Sequence, residues 1–199
     1  MDTMLEIAKR VDDFMMERSP VHDTMRRLAL AFADLGIPFA IAGAMAANAH
    51  GHRRTTADVD VLVRREDLVR FKDRWSGRGW TDLFQGSKGF RDTSNGVKVD
   101  VLIVGEYPGD GRPKPVSFPT PESVQDVRDG SVPYVNLATL FELKIASGMT
   151  AAHRLQDLAD AIQLIRVNAL PRDYSGQLNP FVRAKFDELW QAAQVSEDY

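Results

Sequence analysis

The chain has 199 residues, 44% hydrophobic and 27% charged, with a formal net charge of −3. That length can bury a core as one large domain or two small ones, and the charge balance gives no long-range pull toward bulk nucleic acid, though a local basic groove is compatible with it. The absence of Cys excludes a disulfide framework, a thiolate zinc site and a Cys nucleophile.

The first twenty residues carry charges throughout, so no standard signal peptide is expected. No apolar run is long enough to span a bilayer, and the expected location is cytoplasmic. In residues 4–16, Leu5, Ala8, Val11, Phe14 and Met15 fall near helical spacing and predict an amphipathic helix. Residues 19–36 predict a second, with Ser19 as cap, Pro20 in the first turn and Gly36 at the end. "IPFAIAG" reads as a short buried strand ending at Gly43, and the alanine-rich "AMAANAH" as a helix just after it. Residues 54–63 predict a strand and residues 65–79 a helix ending near Gly77 or Gly79. "WTDLFQ", "KGFRDT" and "VKVDVLIVG" read as three strands, the last two joined by a turn at Ser94, Asn95 and Gly96. Residues 106–133 are rich in Pro, Gly and Asp and predict a long irregular connection with one short helix at 122–127. Residues 136–148, 151–167 and 180–194 complete the chain as three helices. The expected class is α/β: N-terminal helices, a mixed sheet flanked by helices, and a C-terminal helical region.

The chemistry concentrates in "ADVDVLV". Side chains on a strand alternate faces. Over an extended 54–63 segment, Arg54, Thr56, Asp58 and Asp60 share one face, and Ala57, Val59, Val61 and Val63 the other. The valine face must pack on a core, so the Asp face points to water, a ligand or a metal. The two Asp Cα atoms stand about 7 Å apart, within reach of one cation. In "VKVDVLIV" the same logic puts Lys98, Asp100 and Leu102 together, and Asp100 joins the pair if the strands are neighbours. Three converging carboxylates repel, and a divalent cation removes that penalty. All-oxygen ligation favours Mg²⁺ or Mn²⁺ over zinc. The alternative is a half-exposed strand with solvated Asp on its outer face. Gly43, between a strand and a helix start, offers backbone N–H groups suited to phosphate, or else is a turn that needs glycine on steric grounds alone.

Other residues carry less. His50 and His52 in "HGH" lack a third ligand and read as solvated or capping groups, and His153 as surface. Asp157 and Asp160, one helical turn apart, read as structural partners of Arg154 that link the helices to the sheet. Trp75, Trp80, Phe84 and Phe90 surround the middle strands. Core packing accounts for them best; one of the rings could stack on a base, but the sequence does not select which.

These residues resemble the nucleotidyltransferase superfamily with the DNA polymerase beta-like fold. A turn of glycine and a small residue precedes a carboxylate–apolar–carboxylate strand, and a third carboxylate lies on a later strand. Within it the chain resembles the small bacterial branch of AbiEii-type toxins and aminoglycoside nucleotidyltransferases, through Gly51, Arg54, Thr56, Asp58 and Asp60, then Lys98 and Asp100, then Lys144, Arg154, Asp157 and Asp160. The likeness covers residues 38–165. One departure is Ala44, where the superfamily commonly has Gly or Ser; a hydroxyl for phosphate is missing there, which leaves room for a degenerate member. The resemblance implies a nucleotidyltransferase core with the N-terminal helices in residues 1–115, and a linker with the C-terminal helical region in 116–199.

It also implies metal-dependent transfer of a nucleoside monophosphate from NTP to a hydroxyl of a small molecule, a protein or an RNA end. Asp58, Asp60 and Asp100 would be the catalytic metal ligands for Mg²⁺ (or Mn²⁺). Gly43, Ala44, Arg54, Thr56 and Lys144 would serve nucleotide binding, with Lys144 toward the triphosphate and Arg54 supporting the carboxylates; for both, a structural ion pair is the alternative. A toxin-like role with an antitoxin partner follows from the likeness alone. The rival readings are a non-catalytic nucleotide- or partner-binding protein on the same fold, and a metal-dependent phosphohydrolase.

Overall fold

The computed structural model describes residues 3–128 and 132–195. Helix α1 (Met4–Met15) starts with a capping box: the Glu6 amide donates to the Thr3 hydroxyl, and the Thr3 amide to the Glu6 carboxylate. Its Phe14 is buried, while the side chains of Leu5 and Ala8 lie outside the described residues. Helix α2 (Pro20–Asp34) begins on its proline as expected, but the Ser19 hydroxyl does not cap it; that oxygen lies 2.9 Å from the His22 ring instead. Gly36, at φ +59, closes the helix.

The sheet strands are β1 (Ala40–Ile41), β2 (Asp58–Val63), β3 (Trp80–Asp82), β4 (Phe90–Asp92) and β5 (Lys98–Ile103). Helix α3 (Gly43–Ala49) follows β1, and α4 (Arg65–Trp75) follows β2 with acidic residues in its first turn and basic ones in its last. Strand β2 begins four residues later than the sequence predicts. The backbone of Arg54 is taken by the Asn48 side chain, which accepts from its amide at 2.8 Å and donates to its carbonyl at 3.0 Å, so residues 54–57 do not enter the ladder.

The stretch expected to be irregular holds a hairpin. After one helical turn, α5 (Pro121–Val124), the chain forms β6 (Gln125–Arg128) and β7 (Val132–Val135). The expected helix at 122–127 therefore becomes strand from Gln125 onward. Three helices complete the fold: α6 (Leu137–Thr150), whose Asn136 cap accepts from the Thr139 amide, α7 (Leu155–Val167) and α8 (Pro180–Ala193). Among the described residues no helix is long and apolar enough to cross a membrane.

The protein is an α/β fold on a seven-stranded mixed sheet in the order β3-β4-β5-β2-β1-β7-β6. Strands β2 and β5 run parallel in register, with Asp58 opposite Lys98 and Asp60 opposite Asp100. Strand β7 pairs parallel with β1, so residues on both sides of position 116 build one sheet. The valine face of β2 and β5 packs on α2 and α4 through Leu28, Phe32, Leu68 and Phe71. The other face meets the alanines of α3 and the helices α6, α7 and α8. The short side chains of Ala46 and Ala47, both fully buried, let α3 sit close against that layer.

Phe71 anchors the first core: its ring centroid lies within 6 Å of those of Phe32, Trp80 and Phe90. Phe71→Ala is expected to lower unfolding free energy by about 3–5 kcal/mol. Val69→Ala, on the exposed face of the same helix, should change it by no more than about 0.5 kcal/mol. Urea denaturation of both variants measures the contrast; equal losses would place the Phe71 ring outside the core.

Candidate active site

The register of β2 and β5 sets the site. Parallel neighbours stand about 4.8 Å apart, so Asp60 and Asp100 lie side by side on one face and Asp58 one pleat away. All three are half-buried and line a cleft of about 1070 Å³. The Thr56 hydroxyl donates to Asp58 at 2.6 Å, and the Lys98 ammonium donates to Asp100 at 2.7 Å.

Asp60 has the least ordinary environment. Its pKa is pushed up to about 7, by desolvation first and then by the negative charges of Asp58 and Asp100. The Lys144 ammonium opposes that shift. Among the described residues no three acidic or imidazole groups form a preassembled metal cage; Thr56 and Lys98 each engage one carboxylate instead. The donor set nonetheless fits a hard divalent cation: three carboxylates on one face, with an excess of negative charge that burial makes costly.

Gly43 owes its identity to this cluster. Its φ is +59, and a Cβ there would come 1.8 Å from Asp60 Oδ2 and 2.6 Å from Asp60 Cγ. The Asp60 carboxylate thus rests on the bare Cα of the turn. Ala44 follows in the first turn of α3, buried at the cleft wall.

Arg54 and Lys144 converge on one buried carboxylate. Arg54 donates through Nε and a terminal nitrogen to the two oxygens of Asp160, both at 2.9 Å. Lys144 Nζ donates to Asp160 at 2.6 Å and to Asp157 at 3.1 Å, and the Ser147 hydroxyl donates to Asp157. The Gln156 amide donates to Asp160 at 2.8 Å, and His52 Nε2 lies 3.4 Å away. Burial acts to raise the Asp160 pKa; the hydrogen bonds from Arg54 and Lys144, with the Lys144 charge, outweigh it and hold the carboxyl well below the usual range.

Several expectations change here. Asp160 pairs with Arg54 and Lys144, not with Arg154, which is exposed at the cleft. Arg154 is the last residue of a short 3-10 turn (Ala152–Arg154) and stands just before α7. His50 is buried rather than solvated, with its ring nitrogen 2.8 Å from the Val135 carbonyl. His153 is on the surface. Sequence reasoning missed Asp160 as the centre of the network; the paired spacing of Asp157 and Asp160 was its signal, but the partner 106 residues away was not visible.

No family model matches the chain, and no curated protein matches it. In structure the chain is similar to an antigenic nucleotidyltransferase-like protein from Paracoccidioides brasiliensis, with a TM-score of 0.47 and 15% identity over 72% of this chain and 74% of that one. It is also similar to ANT(2'')-Ia in complex with adenylyl-2''-tobramycin, with a TM-score of 0.41 and 14% identity over 89% and 90%. A solution structure of the antibiotic-resistance factor ANT(2'')-Ia gives a TM-score of 0.39 and 16% identity over 85% and 80%.

Asp160→Asn keeps the shape and leaves two cations facing a neutral amide. It should destabilise the protein by about 3–5 kcal/mol at neutral pH, the cost of breaking a buried charge pair. Because the folded pKa lies below the ordinary 3.8, the stabilisation from Asp160 is fully present above that value and is lost as pH falls below it. Urea titrations at pH 7 and in strongly acidic buffer measure this. A parent–variant gap that widens on acidification would reverse the sign of the argument.

Proposed function

We propose that the protein is a metal-dependent nucleotidyltransferase that joins a nucleoside monophosphate from NTP to an acceptor hydroxyl. The observation that carries this reading is the in-register pairing of β2 and β5, which sets Asp60 beside Asp100 with Asp58 on the same face of an open cleft. A divalent cation on these three carboxylates would neutralise their charge and supply Lewis acidity to the phosphates.

The chain's own residues account for the rest. In the transfer, the acceptor oxygen bonds to the α-phosphorus, the bond to the bridging oxygen breaks, pyrophosphate leaves, and the hydroxyl proton passes to a base. Asp100 is that base: Lys98 holds its Oδ2, which leaves Oδ1 to take the proton. Asp58, tied by Thr56, and Asp60, seated on Gly43, hold fixed positions on the cleft floor. Lys144 is committed to Asp157 and Asp160, so it acts on the site through its field at Asp60. Arg54 fixes Asp160, and thereby Lys144. The exposed Arg154 is the cation left to meet the triphosphate. The acceptor class, a toxin-like role and an antitoxin partner rest on the sequence resemblance.

Mg²⁺ with NTP should raise the melting temperature, on the order of 2.7 kcal/mol of added stability at a hundredfold excess over Kd. The effect should vanish with EDTA and in Asp58→Ala combined with Asp60→Ala. Asp100→Asn should bind NTP within a few-fold of the parent while transfer to acceptors in a cell extract falls by about 10² or more. Thermal shift, calorimetry and labelled-nucleotide transfer read these outcomes. An equal thermal shift in the double variant would move the nucleotide elsewhere, full turnover in Asp100→Asn would remove it as base, and release of free nucleotide without adduct would make the protein a hydrolase.

A further inference from the structure

Of the four aromatic residues around the middle strands, packing accounts for three. Trp80 and Phe90 are buried edge to face, 5.5 Å apart, in the cluster around Phe71. Trp75 is partly buried against the same core, with the Arg74 guanidinium 4.8 Å over its ring. Phe84 is 69% exposed, and among the described residues no other Phe, Tyr or Trp is exposed. A single exposed apolar side chain is ordinary in itself; its location is what gives this one meaning.

Phe84 lines the carboxylate cleft, on the turn between β3 and β4. The turn is held at several points. The Ser87 amide donates to the Phe84 carbonyl at 3.0 Å, and the Lys72 ammonium of α4 donates to the Ser87 carbonyl. At its far end Gly89 lies flat on β5: a Cβ there would stand 2.9 Å from the Val99 carbonyl oxygen and 3.5 Å from Asp100 Oδ1. The segment that carries the ring therefore passes close to Asp100, with no room for a side chain between its end and β5. Lys88 and Arg91, both exposed, line the same wall, Lys88 paired with the Glu106 carboxylate and Arg91 donating to the Gly96 carbonyl. An exposed π face on a braced turn, flanked by cations and next to the carboxylates, matches a flat ring that carries phosphate.

We propose that Phe84 is the stacking platform for a nucleobase and so a positioning residue for transfer. The proposal rests on the nucleotidyl-transfer reading above. The base comes either from the donor NTP or from a nucleotide acceptor, and the stacking chemistry is the same for both.

The test compares the parent with Phe84→Leu, which keeps apolar bulk and loses the π face, and Phe84→Trp, which restores a larger one. ATP with Mg²⁺ and inorganic tripolyphosphate with Mg²⁺ are titrated by calorimetry, and a labelled single-stranded RNA pentanucleotide by fluorescence anisotropy. Phe84→Leu should weaken ATP or RNA by about 5- to 100-fold, while Phe84→Trp binds at least as tightly as the parent and tripolyphosphate affinity stays unchanged in all three. A loss with ATP assigns the base to the donor; a loss with RNA assigns it to the acceptor. Unchanged ATP and RNA affinity in Phe84→Leu would overturn the stacking role and leave the transferase reading intact. Loss of tripolyphosphate binding in Phe84→Leu would overturn it too, since the ring would then only support the shape of the cleft. A parent that binds neither ATP nor RNA would overturn both readings.

Discussion

Two parallel strands locked in register are the constraint on which the site depends. With Asp60 opposite Asp100, the period-2 alternation of β2 and β5 sends every valine of both strands into one core and every carboxylate to the other face. A slip of one residue would send the acids into the layer of Phe32 and Phe71. The large apolar face beneath the site is thus what makes the register stringent, and stringency there is what lets like charges stand together above it. Desolvation and mutual repulsion at Asp60 are offset by the packing of valines, phenylalanines and Trp80 on the far side of the same strands.

A second constraint ties the helical region to this sheet. Asp160 on α7 receives Arg54 from the segment before β2 and Lys144 from α6. Two consecutive helices and a segment 106 residues upstream meet at one carboxylate, which is buried and fully engaged. The same contact decides what Arg54 and Lys144 can do. Both are spent on holding the wall of the cleft; Lys88 is paired with Glu106 and Arg91 donates to the Gly96 carbonyl, so among the described residues the exposed Arg154 is the cleft cation without such a partner.

Much of this was legible in the sequence because it depended on local pattern. Alternation placed Asp58, Asp60 and Asp100 on one face, and Pro20 and Gly36 marked the two ends of α2. What depended on distant partners was not legible. The start of β2 is set by Asn48, whose side chain occupies the Arg54 backbone. Asp160 looked like a partner for Arg154, close in sequence, whereas it takes Lys144 from the neighbouring helix and Arg54 from 106 residues upstream. The β6–β7 hairpin was hidden by Pro133, which reads as a break; in the sheet Pro133 sits opposite Val127, and the ladder continues through Tyr134 to Ile41. Burial alone separated Phe84 from Trp75, Trp80 and Phe90, and no pattern of spacing encodes it.

The contact between Gly43 and Asp60 links two positions that would otherwise vary independently. Any side chain at 43 must displace the carboxylate, and the left-handed turn adds its own penalty. The glycine is therefore hostage to the acid. With a smaller residue at position 60, the steric reason for glycine would go and only the weaker conformational one would remain. The residue that position 43 can carry thus depends on the one at position 60. Here glycine and aspartate stand together as that dependence requires, while the neighbouring Ala44 is buried in the cleft wall.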